Sequence, residues 1–236
     1  MHLIFLDTET TGNDVTKDRL CQLCYKTEKG GIKVGYFKPP LPISIKAMSV
    51  THITNKMVED KESFEGSEMK KDLQTLFKEG VLIAHNCKFD SAILEAEGME
   101  IPQSICTLRV ARFLDTKGVI SEYNLQYLRY YLDVDVPGNA HDAEGDVNVL
   151  EQVFKRLLAK VREGEESDEA AIDKMIEISS KPSLYRIFNF GKYKDKAIEE
   201  VVKTDKGYLE WLLNQKITSG ENDEDWIYTL QYYLKK

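Results

Sequence analysis

The first third of the chain carries short apolar runs separated by polar turns, a pattern typical of β-strands. Residues 3–6 form a buried-strand run, and residues 20–25 and 32–36 form two more, with a glycine turn at 29–31 between them. Apolar runs of this length, bounded by turn residues, predict strands. The pattern therefore predicts a sheet that starts with three antiparallel strands.

Further along, apolar residues recur every three or four positions, the spacing of one helix face. This spacing predicts a helix over 68–79, ending at Gly80 before a buried strand at 81–84. It also predicts a helix that begins at Asp90 and two others over 124–132 and 143–161. Strands followed by alternating strands and helices indicate an α/β fold.

A cluster of acidic residues between positions 163 and 169 marks a change in composition and indicates a solvated segment. We place a boundary there and predict three parts. These are a main domain at 1–165, an acidic linker or helix at 166–179 and a small α+β unit at 180–236.

Length and charge limit the possible functions. A chain of 236 residues can form one large core and a smaller second unit. The net charge of −8 argues against tight nonspecific DNA binding by general phosphate neutralisation. No apolar run reaches membrane-spanning length, and Asp7 and Glu9 interrupt the first one too early for a signal peptide. We therefore expect a cytoplasmic protein with no membrane partner.

The chain has four cysteines, of which Cys21 and Cys24 form a Cys-x-x-Cys pattern. In a strand, residues three apart face opposite sides, and no second pair of metal ligands follows. We therefore interpret these cysteines as buried thiols in a reducing compartment and not as a zinc or redox site.

Asp7 and Glu9 follow the first strand and lie two positions apart, so their side chains point to the same face. Two adjacent carboxylates repel each other unless a cation or a raised pKa relieves the charge. Oxygen ligands of this kind suit Mg²⁺ or Mn²⁺.

More acids follow at Asp90 and at Asp146, which lies five residues after His141. On one helix this spacing would separate the two side chains by roughly 140°. They can serve one site if His141 lies in a loop, Asp142 caps the helix and Asp146 projects from its first turns. Each motif alone fits salt bridging or capping equally well, but the ordered set indicates a two-metal hydrolytic site.

Three motifs carry a family resemblance: Asp7-Thr8-Glu9, His85-Asn86-x-x-Phe89-Asp90 and His141-x-Ala143-x-x-Asp146. They resemble those of the DEDD 3′-to-5′ exonucleases that use a histidine base, the group of the proofreading subunits. Other segments resemble the exodeoxyribonuclease X group, so that the similarity covers nearly the whole chain. These segments are 47–54, 105–107, 181–184, 190–194 and 207–212.

The resemblance implies a ribonuclease H-like mixed sheet flanked by helices and the stepwise release of 5′-mononucleotides from a 3′ end. It implies two divalent metal ions, Mg²⁺ or Mn²⁺. Asp7 would bridge them, Glu9 and Asp146 would complete the first site, and Asp90 would hold the second. His141 would act as the general base.

The family pattern also implies contacts to the terminal nucleotide from Thr10, Val50, Thr51, Asn86 and Phe89. At one position the chain departs from many relatives, which have His-Gly where this chain has Thr51-His52. The resemblance therefore does not extend to the sugar contact made there, and His52 is expected to face solvent.

Two features bear on the substrate. The loop after Gly12 offers no large apolar wedge to open a duplex, which favours single-stranded or frayed 3′ ends. Lysines 192, 194 and 196 alternate with Phe190 and Tyr193. They either contact single-stranded nucleic acid or form the solvated face of a packed unit.

Three functions remain open. The first is a DNA-directed 3′-to-5′ exonuclease. The second is an exoribonuclease of the oligoribonuclease or tRNA-trimming type, because nothing in the motifs reads a 2′-hydroxyl. The third is a non-catalytic interaction module of a replication or repair complex, against which the intact set of acids speaks. A homo-oligomer is possible, and the repair or replication partner stays open.

Overall fold

The fold is built around one mixed sheet of five strands. The computed structural model of the chain describes residues 2–136, 143–219 and 223–235. In spatial order the sheet reads β3, β2, β1, β4 and β5, with β1 antiparallel to β2 and parallel to β4. β2 pairs with β3 antiparallel and β4 with β5 parallel, so the predicted mixed sheet and its antiparallel start are confirmed. The strands are β1 (His2–Thr10), β2 (Leu20–Thr27), β3 (Ile32–Tyr36), β4 (Gly80–Ala84) and β5 (Ser104–Cys106).

Helices flank the sheet and follow it to the C-terminus, as expected for the fold class. Short 3₁₀ turns lie at Phe64–Gly66 and Gly191–Tyr193. In chain order the helices are α1 (Ile45–Thr51), α2 (Asn55–Val58), α3 (Glu68–Phe77), α4 (Cys87–Ala96), α5 (Thr107–Leu114), α6 (Leu125–Tyr131), α7 (Ala143–Arg162), α8 (Asp168–Ser179), α9 (Ile198–Thr204), α10 (Lys206–Thr218) and α11 (Glu224–Lys235).

Strand β1 separates two cores, because its side chains alternate between the faces of the sheet. Leu3 and Phe5 lie in the core that includes α7, where the rings of Phe5 and Phe154 meet edge to face at 5.4 Å. Ile4 and Leu6 lie in the opposite core with residues of α3 and α4. The alternation fixes which helix each later residue of β1 can reach.

Strand β1 also extends beyond its neighbour on one side. It pairs with β2 as far as Thr10 but with β4 only from His2 to Phe5. Strand β4 ends at Ala84. The chain then continues into α4 through Asn86, whose backbone is left-handed at φ 62°. The first turn of α4 therefore lies next to the part of β1 that holds Asp7 and Glu9.

Most predicted elements of the main domain are present, with one shifted start. Helix α4 begins at Cys87, three positions before the predicted start at Asp90. The left-handed Asn86 reverses the chain directly after β4, and this places Asp90 within the first turn. Asp146 lies in the first turn of α7, as predicted.

The acidic segment contains helix α8, and this helix packs against the main core. Ala171, Met175 and Ile178 on its inner face are buried in the same cluster as residues of α7. Its charged residues face outward, which explains why the sequence reads as solvated. The division into parts at 1–165, 166–179 and 180–236 stays a prediction.

The C-terminal unit is helical. Helices α9, α10 and α11 enclose a core of its own around Phe188 and Trp226, whose rings stack at 5.5 Å. The β-structure predicted for this unit is reduced, in the part that the structure describes, to one bridge between Ile187 and Ala197.

Two further predictions concern the cysteines and membrane-spanning helices. All four cysteines are buried and without a disulfide, and Cys21 and Cys24 lie in different clusters, as expected for opposite faces of β2. Within 2–136, 143–219 and 223–235, no helix is both long enough and apolar enough to cross a membrane.

Candidate active site

Three of the four predicted carboxylates lie on one face of the sheet. Asp7 and Glu9 alternate with Thr8 along β1 and share the face of Phe5, which contacts α7. Asp146 is buried in the first turn of α7 and shifts the pKa values of Asp7 and Glu9 by charge repulsion. The sequence spacing therefore brings these three acids together.

The fourth carboxylate comes from the other face. Asp90 is buried in the first turn of α4, and the intervening Thr8 points toward that helix. The Thr8 hydroxyl donates a hydrogen bond of 2.7 Å to Asp90 Oδ1. This bond connects the two faces at the point where β1 extends past β4.

Burial raises the pKa of three carboxyl groups, and repulsion between like charges adds to this effect for Asp7 and Glu9. Burial and the repulsion of Asp90, Glu9 and Asp146 hold the pKa of Asp7 well above its usual range. Burial, then Asp146 and Asp90, raise the pKa of Glu9 to about 7. Burial raises the pKa of Asp90 to about 7, partly opposed by the hydrogen bond from Thr8. A divalent cation would relieve this repulsion, so the donor set fits a hard metal ion.

The acids are near each other but do not form a closed ligand cage. Among the described residues, no three His, Cys, Asp or Glu side chains are arranged closely enough to hold a metal ion as they stand. Asp146 Oδ1 accepts a hydrogen bond of 2.6 Å from the Gln126 amide, and Asp90 Oδ1 is engaged by Thr8. Ligation by the full set would therefore require side-chain rotations.

The predicted general base, His141, and the predicted helix cap, Asp142, lie outside the described residues. Both positions directly precede Ala143, where α7 begins. Their roles stay predictions.

Three of the predicted nucleotide contacts surround this cluster. Thr10 is buried at the end of β1, where its hydroxyl donates to the Gly12 carbonyl at 2.5 Å. Asn86 is exposed at the start of α4, and Phe89 is half-buried against the core of α3 and α4. Thr10 and Phe89 therefore have clear packing roles, and their contact with a nucleotide stays a prediction.

The other two predicted contacts lie on helix α1. Val50 is exposed, and the Thr51 hydroxyl accepts a hydrogen bond from the Ile53 amide. Helix α1 starts after Ser44, whose amide donates to the Thr11 carbonyl at 3.0 Å. Through this bond α1 is held beside the end of β1.

The position at which the chain departs from its relatives ends helix α1. His52 is exposed and adopts a left-handed backbone at φ 58°, with its amide bonded to the Met48 carbonyl. This conformation favours glycine, the residue that many relatives have there. The fold thus requires a left-handed backbone at this position. The exposure of His52 agrees with the expectation that its side chain faces solvent.

His85 of the second motif has a positioning role in the structure. Its ring bonds Thr107 Oγ1 at 2.9 Å and the Tyr123 carbonyl at 2.7 Å, and burial lowers its pKa to about 4. The neutral ring therefore donates from Nε2 to the carbonyl and accepts at Nδ1 from the threonine. It joins the end of β4 to α5 and to the loop before α6.

Some residues at the site gave no clear signal in the sequence. Gln126 lies on α6 and reaches Asp146 only because α6 packs on α7, so its role depends on tertiary contacts. Ile45 is the first residue of α1, the helix that carries the predicted contacts Val50 and Thr51, and 82% of its surface is exposed. An apolar residue at a helix start is too common to be noticed in a sequence.

Lys192, Lys194 and Lys196 of the C-terminal unit are all exposed. Lys192 pairs with Asp205 at 3.1 Å, and Phe190 and Tyr193 pack against the core of the C-terminal unit. This packing favours the solvated-face interpretation for Lys192.

Family models identify both parts of the chain. A model described as an exonuclease matches residues 4–154, and a model described as an exodeoxyribonuclease X-like C-terminal unit matches residues 188–216. The chain belongs to the exonuclease family. The exonuclease family's match includes all four clustered carboxylates, and the predicted resemblance and enzyme class are confirmed at this level.

Two curated relatives illustrate the similarity. Exodeoxyribonuclease 10 of Escherichia coli (strain K12) is 31% identical over 84% of this chain and 82% of its own length. The DNA polymerase III subunit epsilon of Treponema pallidum (strain Nichols) is 29% identical over 67% of this chain and 78% of its own.

Solved structures agree on the fold. Exonuclease X in complex with 5′ overhanging duplex DNA matches 75% of this chain and 99% of that chain, with a TM-score of 0.54 and 22% identity. Exonuclease I of E. coli in complex with a dT13 oligonucleotide matches 69% of this chain and 42% of that chain, with a TM-score of 0.57 and 21% identity.

Proposed function

We propose that this exonuclease removes nucleotides from the 3′ end of DNA, with two divalent metal ions and with His141 as general base. The observation that carries the proposal is the meeting of Asp7, Glu9, Asp90 and Asp146 at one end of β1. Burial raises the pKa of the first three, and repulsion raises those of Asp7 and Glu9 further. A buried cluster of like charges destabilises the fold, and its presence therefore indicates a functional site.

Each side chain has a role in the proposed reaction. Bound Mg²⁺ or Mn²⁺ would lower the pKa of the attacking water and stabilise the leaving 3′ oxygen. Asp7 would be shared by both ions, Glu9 and Asp146 would hold one, and Asp90 the other. Gln126 and Thr8 would orient Asp146 and Asp90, and His141 would accept the proton of the attacking water.

DNA is the favoured substrate because the curated relatives named above are an exodeoxyribonuclease and a DNA polymerase subunit. Single-stranded or frayed ends are favoured by the loop after Gly12. Its exposed residues are polar, while Val15 packs toward the core. A wedge that opens duplex ends needs an exposed apolar side chain, and this loop does not present one in the described structure.

The exoribonuclease alternative shares the same carboxylates and differs only in the sugar that is accepted. No described contact separates the two, because the predicted sugar contact falls at Thr51 and His52, where the chain departs from its relatives. The non-catalytic alternative lacks a specific observation in its favour.

The decisive experiment uses purified protein with Mg²⁺ or Mn²⁺ and 5′-labelled single-stranded DNA, duplex DNA and RNA of one sequence. A ladder that shortens from the 3′ end, fastest on single-stranded DNA, is the expected result. Asp7→Asn and Asp146→Asn should each lower the rate by at least about a thousandfold.

The matched control is Asp168→Asn, which changes an exposed carboxylate of α8 and should leave the rate unchanged. Equal rates on RNA would support the exoribonuclease alternative. Internal cleavage, or full activity of Asp7→Asn, would overturn the proposal. A pH profile whose acidic limb disappears in His141→Ala is the test of the general base.

A further inference from the structure

A cavity of about 190 Å³ lies away from the four carboxylates, between the main domain and the C-terminal unit. Its wall is formed by α5, α8, the segment that leads from α8 into the C-terminal unit, and Tyr228 of α11. None of the predicted catalytic or nucleotide-binding residues lines it. Its chemistry therefore requires a separate explanation.

Three residues that line this cavity each carry a buried polar atom without a hydrogen-bond partner in the described structure. These atoms are Arg112 Nε, Arg186 Nε and Ser183 Oγ. Ser183 is 93% buried, because only 7% of its surface is exposed. A buried donor without an acceptor is unfavourable, so three such groups together indicate a missing acceptor.

The charge of the lining identifies the kind of acceptor. Arg109, Arg112, Lys174, Lys181 and Arg186 line the cavity, and Glu177 is the one acidic residue in the described lining. Glu177 pairs with Lys174 and Lys181, while Glu224 and Asp225 outside the cavity pair with Arg109 and Arg112. Arg186 has no such partner among the described acidic side chains.

The Arg112 side chain is held in place by aromatic rings. Its guanidinium lies 4.6 Å from the ring centre of Tyr185 and 5.6 Å from that of Tyr123, and its Nη1 donates to Asp225 at 3.0 Å. With the side chain held in this way, its Nε is buried without a hydrogen-bond partner in the described structure. A planar arginine with a fixed orientation is well suited to bind the oxygens of a phosphate.

The rim adds apolar surface. Phe113 and Tyr228 both line the cavity, and 53% and 41% of their surfaces are exposed. Exposed aromatic rings stack with nucleobases. The volume accommodates a phosphate group with its sugar, while a base would lie at the rim.

We propose that this cavity is a second nucleotide-binding site, which takes the phosphate group of a nucleotide on Arg112, Arg186 and Ser183 and its base on Phe113 or Tyr228. The choice of a nucleotide as ligand rests on the proposed function. The phosphate can belong to a free 5′-mononucleotide or to a bound strand, and the same chemistry recognises both.

The test measures binding by calorimetry in EDTA, on the full chain carrying Asp7→Asn, so that no cleavage occurs. The probes are inorganic phosphate, dAMP, deoxyadenosine and a single-stranded oligonucleotide with phosphorothioate linkages at its 3′ end. Phosphate and dAMP should bind, dAMP more tightly, and deoxyadenosine should not bind.

Arg186→Met should weaken binding of dAMP by about tenfold or more, since a hydrogen bond to a charged group is lost. Arg186→Lys should recover part of the loss, and Phe113→Ser should weaken dAMP binding but leave phosphate binding unchanged. The matched control is Arg156→Met, an exposed arginine of α7. Thermal unfolding of each variant verifies that the fold is intact.

If only oligonucleotide binding depends on Arg186, the phosphate belongs to a strand; if dAMP binding also depends on it, the site takes free mononucleotides. Equal binding by Arg186→Met and Arg156→Met would overturn the site. That result together with normal metal-dependent cleavage by the otherwise unaltered chain would leave the proposed function standing. Absence of cleavage by the otherwise unaltered chain, together with binding that depends on Arg186, would contradict the proposed function and leave the second site standing.

Discussion

The hydroxyl of Thr8 donates to Asp90 Oδ1 at 2.7 Å, and the two residues lie 82 positions apart in the chain. Thr8 stands between Asp7 and Glu9 on β1 but points to the opposite face. The bond therefore holds the carboxylate of α4 in a fixed relation to the two carboxylates of β1.

Replacing Thr8 with valine, which has nearly the same shape, tests this connection. Asp90 would lose a donor that lowers its pKa, so its carboxylate would ionise at higher pH and bind cations less well. We expect kcat/KM to fall by about tenfold and the Mg²⁺ concentration for half-maximal rate to rise. Thr8→Ser should behave like the original chain, and equal loss in both variants would contradict the role of the hydroxyl.

The raised pKa of Glu9 predicts how stability depends on pH without metal. The unfolded chain loses this proton near pH 4.5 and the folded chain near pH 7, so the folded state binds more protons between these values. Stability should therefore fall as pH rises from about 4 to about 7, by about 3 kcal/mol from this group. Above pH 7 its contribution should stay constant.

Urea unfolding in EDTA across this range measures the effect. Glu9→Gln should remove this part of the decline, whereas Glu28→Gln, at an exposed turn, should keep it. Mg²⁺ at pH 8 should restore stability to the unaltered chain. A decline of the same size in Glu9→Gln would show that Glu9 is not its source.

Gln126 orients the carboxylate of Asp146 through a bond of 2.6 Å. Gln126→Leu removes the donor, and we expect a loss of about 10- to 100-fold in activity, the range found for residues that hold metal ligands in place. Gln126→Glu replaces the donor with a second carboxylate that repels Asp146, and it should reduce activity further. Rates measured against Mg²⁺ concentration test this, and an unchanged half-saturation in both variants would contradict it.

The left-handed backbone at His52 predicts a stabilising substitution. His52→Gly removes the side-chain strain at φ 58°, and the exposed imidazole contributes little packing. We expect a gain of about 0.5 to 1 kcal/mol in the free energy of unfolding. His52→Ala keeps a Cβ at this position and should show no such gain. Thermal melting of the three proteins is the measurement.

The sequence predicted strands β1 to β4, helices α3, α6 and α7, and the acids that meet at β1, because each depends on local periodicity or on strand alternation. The short strand β5 was not predicted. Asp146 could be placed in the first turn of α7 by spacing alone. The contribution of Gln126 could not, because it depends on how α6 packs on α7. The segment of α8 was predicted as an acidic linker or helix, but its charged outer face concealed that Met175 and Ile178 lie in the core.

The extension of β1 past β4 has a consequence for folding. The carboxylates come from β1, α4 and α7, so the site forms only when segments that are distant in the chain have met, and contacts of this kind form slowly. Tb³⁺, a luminescent substitute for hard divalent ions, should therefore bind only after the sheet has assembled. Affinity for metal should be among the last properties that the refolding chain acquires.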